Sequence, residues 1–451
     1  MKIQKQVPLT EGPILKSLTG LAVPIMISSF LGTLYNITDM AWIGLLGSKA
    51  VAAVGVGGMY VWLSQGLASL ARMGGQVHVA QCLGRGDKEQ AHRYAKTAVQ
   101  LSILLGLAFA AVSLLFTDPL VGFFKLEGVK TILDAKIYMR ITCGLILFSF
   151  LNLTLTGLYT AQGDSKTPFV ANFIGLLINL LLDPLLILGV GPFPRIEVAG
   201  AAVATVSAQL VVMLVMMVGV FRSKKEENVL KGIRLFEPFS KEELGNICKI
   251  GGPTAIQGMV YCMISMVLTR MVAALGAEAI ATQRVGGQIE SVSWNTADGF
   301  AAALNAFVGQ NYGAKKMDRV QKGYRISFWT VAIWGALIML AFIIFPGPIA
   351  GVFFHEEKAM EIAISYLIII GFSEAFMCVE LMTIGALSGL GKTKLCSVIS
   401  ITATSMRIPL AMVLSRTSLG LDGIWWALTL TSVAKGIIFY LTFRYQMREK
   451  C

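Results

Sequence analysis

The feature that most constrains this chain is a series of twelve apolar segments, each long enough to cross a lipid bilayer as a helix. Roughly 20 apolar residues at 1.5 Å rise span the hydrocarbon layer. In lipid only helices and closed barrels satisfy their backbone groups, and these runs lack the alternation of barrel strands. We therefore expect an all-α membrane protein with twelve transmembrane helices, at residues 18–43, 50–76, 95–116, 134–158, 168–190, 198–221, 250–275, 281–308, 325–346, 362–388, 395–414 and 421–443.

Composition and charge agree with this and argue against a nucleic-acid partner. Hydrophobic residues make up 55% of the 451 residues and charged residues 14%, which no soluble domain of this size resembles. The formal net charge is +12, but the basic residues lie in short loops between apolar runs, where they report topology. The seven cysteines are scattered without a CxxC pair, so neither a disulfide framework nor a metal cofactor is expected. We expect a monomer embedded in the bilayer.

The two halves of the chain are repeats. A shift of 228 or 229 residues places prolines and glycines of one half on the same residue types in the other: Pro24 on Pro253, Gly57 on Gly286 and Gly157 on Gly385. Six spans return the chain to its starting side, so the repeat predicts two six-helix lobes in the same orientation, related by a pseudo-two-fold axis. Such parallel repeats are typical of transporters with a site near the midplane.

The longest connection lies at the middle of the chain and is rich in basic residues. Within it, Ser240 and Glu243 have the spacing of a capping box ahead of KEELGNICKI. This predicts an amphipathic cytoplasmic helix joining the two halves. The expected domains are an N-lobe at 1–221, a linker at 222–249 and a C-lobe at 250–451.

One span carries polar residues that a purely structural helix does not need. Phe173–Val190 contains Asn179 and Asp183, four residues apart and so on one helix face. Pro184 follows, and its ring frees the carbonyl of Leu180, which predicts a helix bend. A charge at the bilayer centre costs about 3 kcal/mol and usually marks function. The structural alternative is an aspartate paired with a basic residue.

Two further polar residues are expected to join this site. Asp39 lies deep in the first span, and Thr205 lies in the sixth among small residues that allow close helix approach. Carboxylates held together in low dielectric cannot both stay charged cheaply, so one takes a proton or a cation such as Na⁺ neutralises both. The repeat sets Leu268 on Asp39 and Arg407 on Asn179, so the acidic site belongs to one half. The alternative for Asn179 and Thr205 is a helix–helix hydrogen bond.

Several short motifs occur in a fixed order, and some occur twice: Pro24 with Asp39, GQVHVAQCLGRG at Gly75–Gly86, GLYTAQGDSKT at Gly157–Thr167, N-x-x-x-D-P at Asn179–Pro184, Val198–Thr205, and VGQNYG at Val308–Gly313. Together they resemble, along the full chain, the multidrug and toxic compound extrusion (MATE) family. The resemblance implies two lobes around a central cleft in a bacterial inner membrane. It implies exchange of H⁺ or Na⁺ for amphipathic, mostly cationic drugs by alternating access. In the branch similar to a DNA-damage-inducible transporter, the coupling residues fall on Asp39, Asn179, Asp183 and Thr205.

The second half carries charged residues of its own in or near its spans: Arg270, Arg284, Glu290, Asp298, Glu374, Glu380 and Arg407. The family branch that uses acids in the C-lobe has them on or near Tyr261 and Met377, so this chain departs from that branch. Because lone charges in a membrane are costly, we expect these acids and bases to pair within the C-lobe. The alternative is that they face the substrate.

Two other functions are alternatives to drug export. A lipid-linked oligosaccharide flippase of the same superfamily would need clustered arginines for its phosphates, and Asp39 with Asp183 would repel them. An intramembrane enzyme would need a nucleophile–base pair, an HExxH or an acidic metal motif, and the sequence contains none. Transport is therefore favoured.

The distribution of basic residues makes a topology prediction. The termini and the loops after even-numbered spans hold most of the Lys and Arg outside the spans, so both termini and 222–249 are expected in the cytoplasm. A single cysteine placed at Ser223, on a background without native cysteines, should resist an impermeant thiol reagent added outside intact cells. Labelling from outside would contradict the topology.

Overall fold

The chain is helical, without a β-strand, in the part that the computed structural model describes, which is residues 7–126, 128–189, 194–223, 228–235, 237–238, 240–354 and 356–448. The helices of the first half are α1 (Ile14–Gly44), α2 (Ser48–Arg85), α3 (Lys88–Leu115), α4 (Thr117–Gly122), α5 (Val129–Gly144), α6 (Leu147–Ala161), α7 (Lys166–Ile187) and α8 (Glu197–Arg222). Those of the second half are α9 (Lys241–Ala273), α10 (Ala277–Gly313), α11 (Met317–Ile344), α12 (Pro346–Gly351), α13 (Glu357–Gly371), α14 (Glu374–Gly389), α15 (Thr393–Ser405), α16 (Arg407–Leu414) and α17 (Leu421–Arg448). The all-α prediction is confirmed.

The described helices account for the predicted spans. Nine spans are long and apolar enough to cross a membrane, with α15 and α16 counted as one, and the bent pairs α5–α6 (43°) and α13–α14 (50°) bring the number to eleven. The twelfth predicted span corresponds to α10. This helix has 37 residues, ample for a bilayer, but it carries Arg284, Glu290 and Asp298 and is therefore more polar than the rest.

The structure reproduces the repeat. The six-residue helices α4 and α12 occupy equivalent positions, and the two bent helix pairs are also equivalent. Gly47 and Gly276, which precede α2 and α10, have φ of 104° and 130°, values that only glycine adopts readily. The two halves of the sequence therefore build the same local structure, as predicted.

The residues pack into two compact units. The first unit comprises Val7 and Ile27–Gly258, and the second comprises Pro8–Met26 and the described residues from Met259 onward. Helices α1 and α9 each contribute to both units. Apart from these exchanged segments, the units follow the two halves of the chain, whereas the linker boundaries stay a prediction.

The amphipathic helix expected within the linker is not a separate element. Helix α9 runs unbroken from Lys241 to Ala273, so the predicted linker helix and the seventh span form one helix. The reason lies at Gly251, where a side chain would overlap the Leu70 carbonyl oxygen of α2; this glycine serves close packing and does not end the helix. The Ser240 hydroxyl accepts the Glu243 N–H at a long 3.5 Å.

The segment before α9 is attached to α3 within the first unit. The Gln100 side-chain amide donates to the carbonyl oxygens of Leu235 (2.9 Å) and Glu237 (2.7 Å). Lys96 Nζ lies 2.8 Å from the Glu237 carboxylate, and this hydrogen bond lowers the pKa of Glu237. Residues 224–227, 236 and 239 of the predicted linker lie outside the described residues.

Two glycines equivalent in the repeat generate a stability prediction. A Cβ at Gly57 would overlap the Tyr138 ring, and one at Gly286 would overlap the Tyr366 ring. Gly57→Ala and Gly286→Ala should each cost about 1–3 kcal/mol through overpacking, measured as thermal unfolding of the purified protein in detergent.

The neighbouring positions provide matched controls. A Cβ at Gly58 or Gly287 would meet nothing within 4 Å. Gly58→Ala and Gly287→Ala should therefore leave stability unchanged or raise it by up to about 1 kcal/mol through helix propensity. If Gly58→Ala lowered stability as much as Gly57→Ala, and Gly287→Ala as much as Gly286→Ala, the packing account would be contradicted.

Candidate functional site

Three helices of the first unit bring the predicted site residues into its interior. Asp39 lies on α1, Asn179 and Asp183 lie on α7, and Thr205 lies on α8. Asp183 is 0% exposed, Asn179 1% and Asp39 8%, and Thr205 is partly buried. Helices α7 and α8 approach closely because Gly175 of α7 packs on Ala208 and Val212 of α8.

The hydrogen bonds within this group leave two carboxylate oxygens unused. Asn179 Nδ2 donates to Asp183 Oδ1 at 3.2 Å. The other oxygen of Asp183 and Oδ1 of Asp39 are buried and accept no hydrogen bond. The two carboxylates are near enough to interact electrostatically. Among the residues that the structure describes, no basic side chain lies within 4.0 Å of either one.

Two tyrosines complete the surroundings. The Tyr35 hydroxyl donates to Thr205 Oγ1 at 2.9 Å, linking α1 to α8. Tyr138 of α5 is 6% exposed and lies within electrostatic range of both Asp39 and Asp183. Sequence reasoning missed Tyr138, although the repeat sets it on Tyr366 and so marked it as a shared position.

Helix α7 continues through Pro184 and ends one turn later at Ile187. The backbone N–H of Leu188 donates to the Pro184 carbonyl oxygen at 3.3 Å. Proline has no N–H to offer the Leu180 carbonyl, so that acceptor has no partner in the usual helical position. The bend expected at Pro184 stays a prediction.

This arrangement can hold a proton or a small cation. Two buried carboxylates without a basic partner are costly in low dielectric, and the cost falls when a proton or a cation neutralises charge. The unused oxygens of Asp39 and Asp183 are the natural acceptors for either. The site is therefore chemically suited to reversible charge uptake.

The second unit contains a different group of charges. Glu374 is 0% exposed, and neither of its carboxylate oxygens accepts a hydrogen bond. The Ser293 hydroxyl beside it forms a hydrogen bond with the Cys378 sulfur at 3.2 Å. Glu290 accepts a hydrogen bond from the Tyr366 hydroxyl and interacts electrostatically with Glu374.

The basic partners in this unit differ from those expected. Arg407 does not form an ion pair within 4.0 Å among the described residues; its guanidinium donates to Thr431 Oγ1 (3.0 Å) and Ser432 Oγ (2.9 Å). The buried ion pair is instead between Glu380 and Lys435, at 2.7 Å. Lys435 was missed, although a lone lysine in the apolar run TSVAKGIIFY was itself a signal.

The remaining candidates lie nearer the surface of the unit. Arg270 and Arg284 are exposed, and Asp298 is partly buried. The arginines of the second half therefore do not share one environment, since Arg407 is 8% exposed. Among the described residues, Glu380 pairs with Lys435, and Arg407 donates to two hydroxyls while interacting electrostatically with Glu290. Pairing of the other acids and arginines within the C-lobe stays a prediction.

Comparison with known proteins gives a consistent result. The family model described as MatE matches residues 24–185 and 253–413. The probable multidrug resistance protein NorM of Thermotoga maritima is 29% identical over 98% of this chain and 95% of its own length. An FAD transporter of Shewanella oneidensis is 25% identical over 96% and 95%.

The fold agrees with that of a solved structure. The crystal structure of MATE in the straight conformation superposes with a TM-score of 0.90 at 24% identity, covering 99% of both chains. This confirms the predicted fold class, a twelve-helix protein of two lobes.

The buried ion pair of the second unit can be tested by substitution. Lys435→Met leaves Glu380 charged and unpaired in the interior, so it should lower stability by about 3 kcal/mol or more. Combining it with Glu380→Gln removes the stranded charge and should recover most of the loss in detergent thermal unfolding.

An exposed pair supplies the control. Lys358 lies 3.1 Å from Glu278 with 73% of its side chain exposed, so Lys358→Met should change stability by less than about 1 kcal/mol. If the Lys435→Met, Glu380→Gln double variant were as unstable as Lys435→Met alone, the unpaired charge of Glu380 would not be the cause of the lost stability.

Proposed function

Since this chain belongs to the MatE family, we propose that it is a multidrug efflux transporter that exchanges H⁺ for amphipathic, mostly cationic compounds by alternating access. The observation that carries the proposal is the pair Asp39 and Asp183, buried in the first unit with an unused oxygen on each carboxylate. The name of the Thermotoga relative supports export of drugs. We place the protein in a bacterial inner membrane with both termini in the cytoplasm.

The hydrogen bonds of the site favour a proton over Na⁺ as the coupling ion. Sodium binds through several oxygens at once, whereas a proton needs a single unused acceptor. Thr205 already accepts the Tyr35 hydroxyl, and Asn179 turns its NH₂ group towards Asp183. The buried acceptors left unused at the site are one oxygen each of Asp39 and Asp183, and one such oxygen is enough for a proton.

Coupling follows from the charge of the pair. In the outward-facing state a proton from outside neutralises one carboxylate and weakens the attraction for a cationic compound, which is released. Return to the inward-facing state and loss of the proton restore the charge. A ligand shifts such an equilibrium only through a difference in affinity between states, and gain or loss of a carboxylate charge provides that difference.

A second candidate is export of an anionic dinucleotide. It is favoured by the relative named as an FAD transporter. The unpartnered acids of the first unit argue against it, because they would repel phosphate. FAD is therefore the informative competitor substrate in any transport assay.

Neutral variants of the acids test the proposal in proteoliposomes. Asp39→Asn and Asp183→Asn keep the size of the side chain but cannot carry the charge, so pH-gradient-driven export of ethidium should fall to about one tenth of wild type or less. Asp134→Asn, a partly buried acid of the same unit, should transport normally.

The gradients are imposed separately to identify the ion. We expect export under a pH gradient and little under a Na⁺ gradient alone. Equal export under a Na⁺ gradient alone would identify Na⁺, and not H⁺, as the coupling ion. Export of FAD in preference to ethidium would support the second candidate. Wild-type activity in both Asp→Asn variants would show that the site lies elsewhere.

A further inference from the structure

A cavity of about 650 Å³ lies in the second unit, far along the chain from the acidic pair, between the first turns of α11 and the last turns of α17. Three arginines contribute to its lining: Arg325 from α11, and Arg444 and Arg448 from α17. None of the residues proposed above for ion coupling lines it. Its chemistry is therefore separate from that of the transport site.

Aromatic contacts between the two helices form the base of the cavity. The rings of Tyr324 and Phe443 stack with centroids 3.6 Å apart, and Phe328 packs on Tyr440 at 5.1 Å. A 3.0 Å hydrogen bond between the hydroxyl groups of Tyr324 and Thr383 also holds the Tyr324 side chain in place. The cavity is thus built on a packed base and is not a gap between loose loops.

The positive charge in this cavity has no local counterpart. Arg325, Arg444 and Arg448 are all exposed, and none pairs with an acidic side chain within 4.0 Å in the part of the chain that the structure describes. The guanidinium of Arg444 lies 5.8 Å from the Tyr440 ring centroid, which orients it without neutralising it. Three arginines around one cavity are suited to bind a phosphate group.

An exposed apolar surface begins where the arginines end. Along α11, Trp329, Ile333 and Leu337 follow one another at four-residue spacing with exposures of 58%, 57% and 56%. On α17, Ile437 and Leu441 are 46% and 56% exposed. In a membrane span this surface faces acyl chains, so a ligand that fits the whole region has an anionic end and an apolar end.

We propose that the cavity binds the headgroup of an anionic phospholipid, with its acyl chains against the apolar surface of α11 and α17. The predicted topology places the start of α11 and the end of α17 at the cytoplasmic side, where basic pockets between helices bind anionic headgroups. Free phosphate could satisfy the arginines but would leave the apolar surface uncovered. The proposal is independent of which ion or drug the protein carries.

The test compares lipids on purified protein in detergent. Phosphatidylglycerol should raise the melting temperature of the wild type by several degrees, whereas phosphatidylcholine and inorganic phosphate at the same concentration should not. Native mass spectrometry of the same samples should show bound phosphatidylglycerol. Each arginine removed should weaken apparent lipid affinity about fivefold.

Variants on α11 and α17 separate this site from general charge attraction. Arg325→Gln with Arg444→Gln should abolish most of the phosphatidylglycerol response. Lys322→Gln removes one exposed charge from the same turn of α11, outside the cavity lining, and should keep the response.

Three outcomes would overturn the proposal. The first is an undiminished lipid response in the double arginine variant, and the second is an equal loss in Lys322→Gln. The third is an equal stabilisation by inorganic phosphate, which would identify a phosphate site without a lipid. Because all the substituted side chains are exposed, the melting temperatures without lipid should match the wild type and serve as the folding control.

Discussion

A carboxylate buried among apolar helices requires something to balance its charge, and individual acids of this chain meet that requirement in opposite ways. In the second unit, Lys435 neutralises Glu380 at 2.7 Å. In the first unit, Asp39 and Asp183 have no basic side chain nearby among the described residues. A permanent partner makes an acid structural, whereas a missing partner leaves room for an ion that comes and goes.

The repeat shows how one framework accommodates both solutions. Gly57 packs on Tyr138 and Gly286 packs on Tyr366 in the same way, so the tyrosine is part of the shared framework. In each half it lies beside acids: Tyr138 near Asp39 and Asp183, and Tyr366 bonded to Glu290. Polar site positions differ between the halves: Leu268 stands at the position equivalent to Asp39, and Arg407 at the position equivalent to Asn179.

Sequence alone was sufficient for the helices, the repeat and the grouping of the acidic residues. Apolar length and periodic glycines report backbone requirements that hold wherever the helix packs, and the spacing of Asn179 and Asp183 fixes their shared face. The sequence was not sufficient to identify the hydrogen-bond and ion-pair partners of the buried charged residues. Arg407 could have paired with any of several acids, and only the packing of α16 against α17 directs it to Thr431 and Ser432.

The join between the linker and α9 was missed for a related reason. Gly251-Gly252-Pro253 suggests a break by local propensity, but close packing of Gly251 on α2 explains the glycine without one. Local signals of this kind are ambiguous, because a glycine that ends a helix and a glycine that lets two helices touch look the same in a sequence.

The central claim is that the charge of the acidic pair responds directly to a bound cation. It is tested most directly by measuring proton release from purified protein in weakly buffered detergent solution as ethidium is added. The account predicts that ethidium binding releases protons, and that this release is lost when Asp39 and Asp183 are both replaced by Asn. Binding of ethidium to the wild type without proton release, or the same release from the double variant, would contradict it.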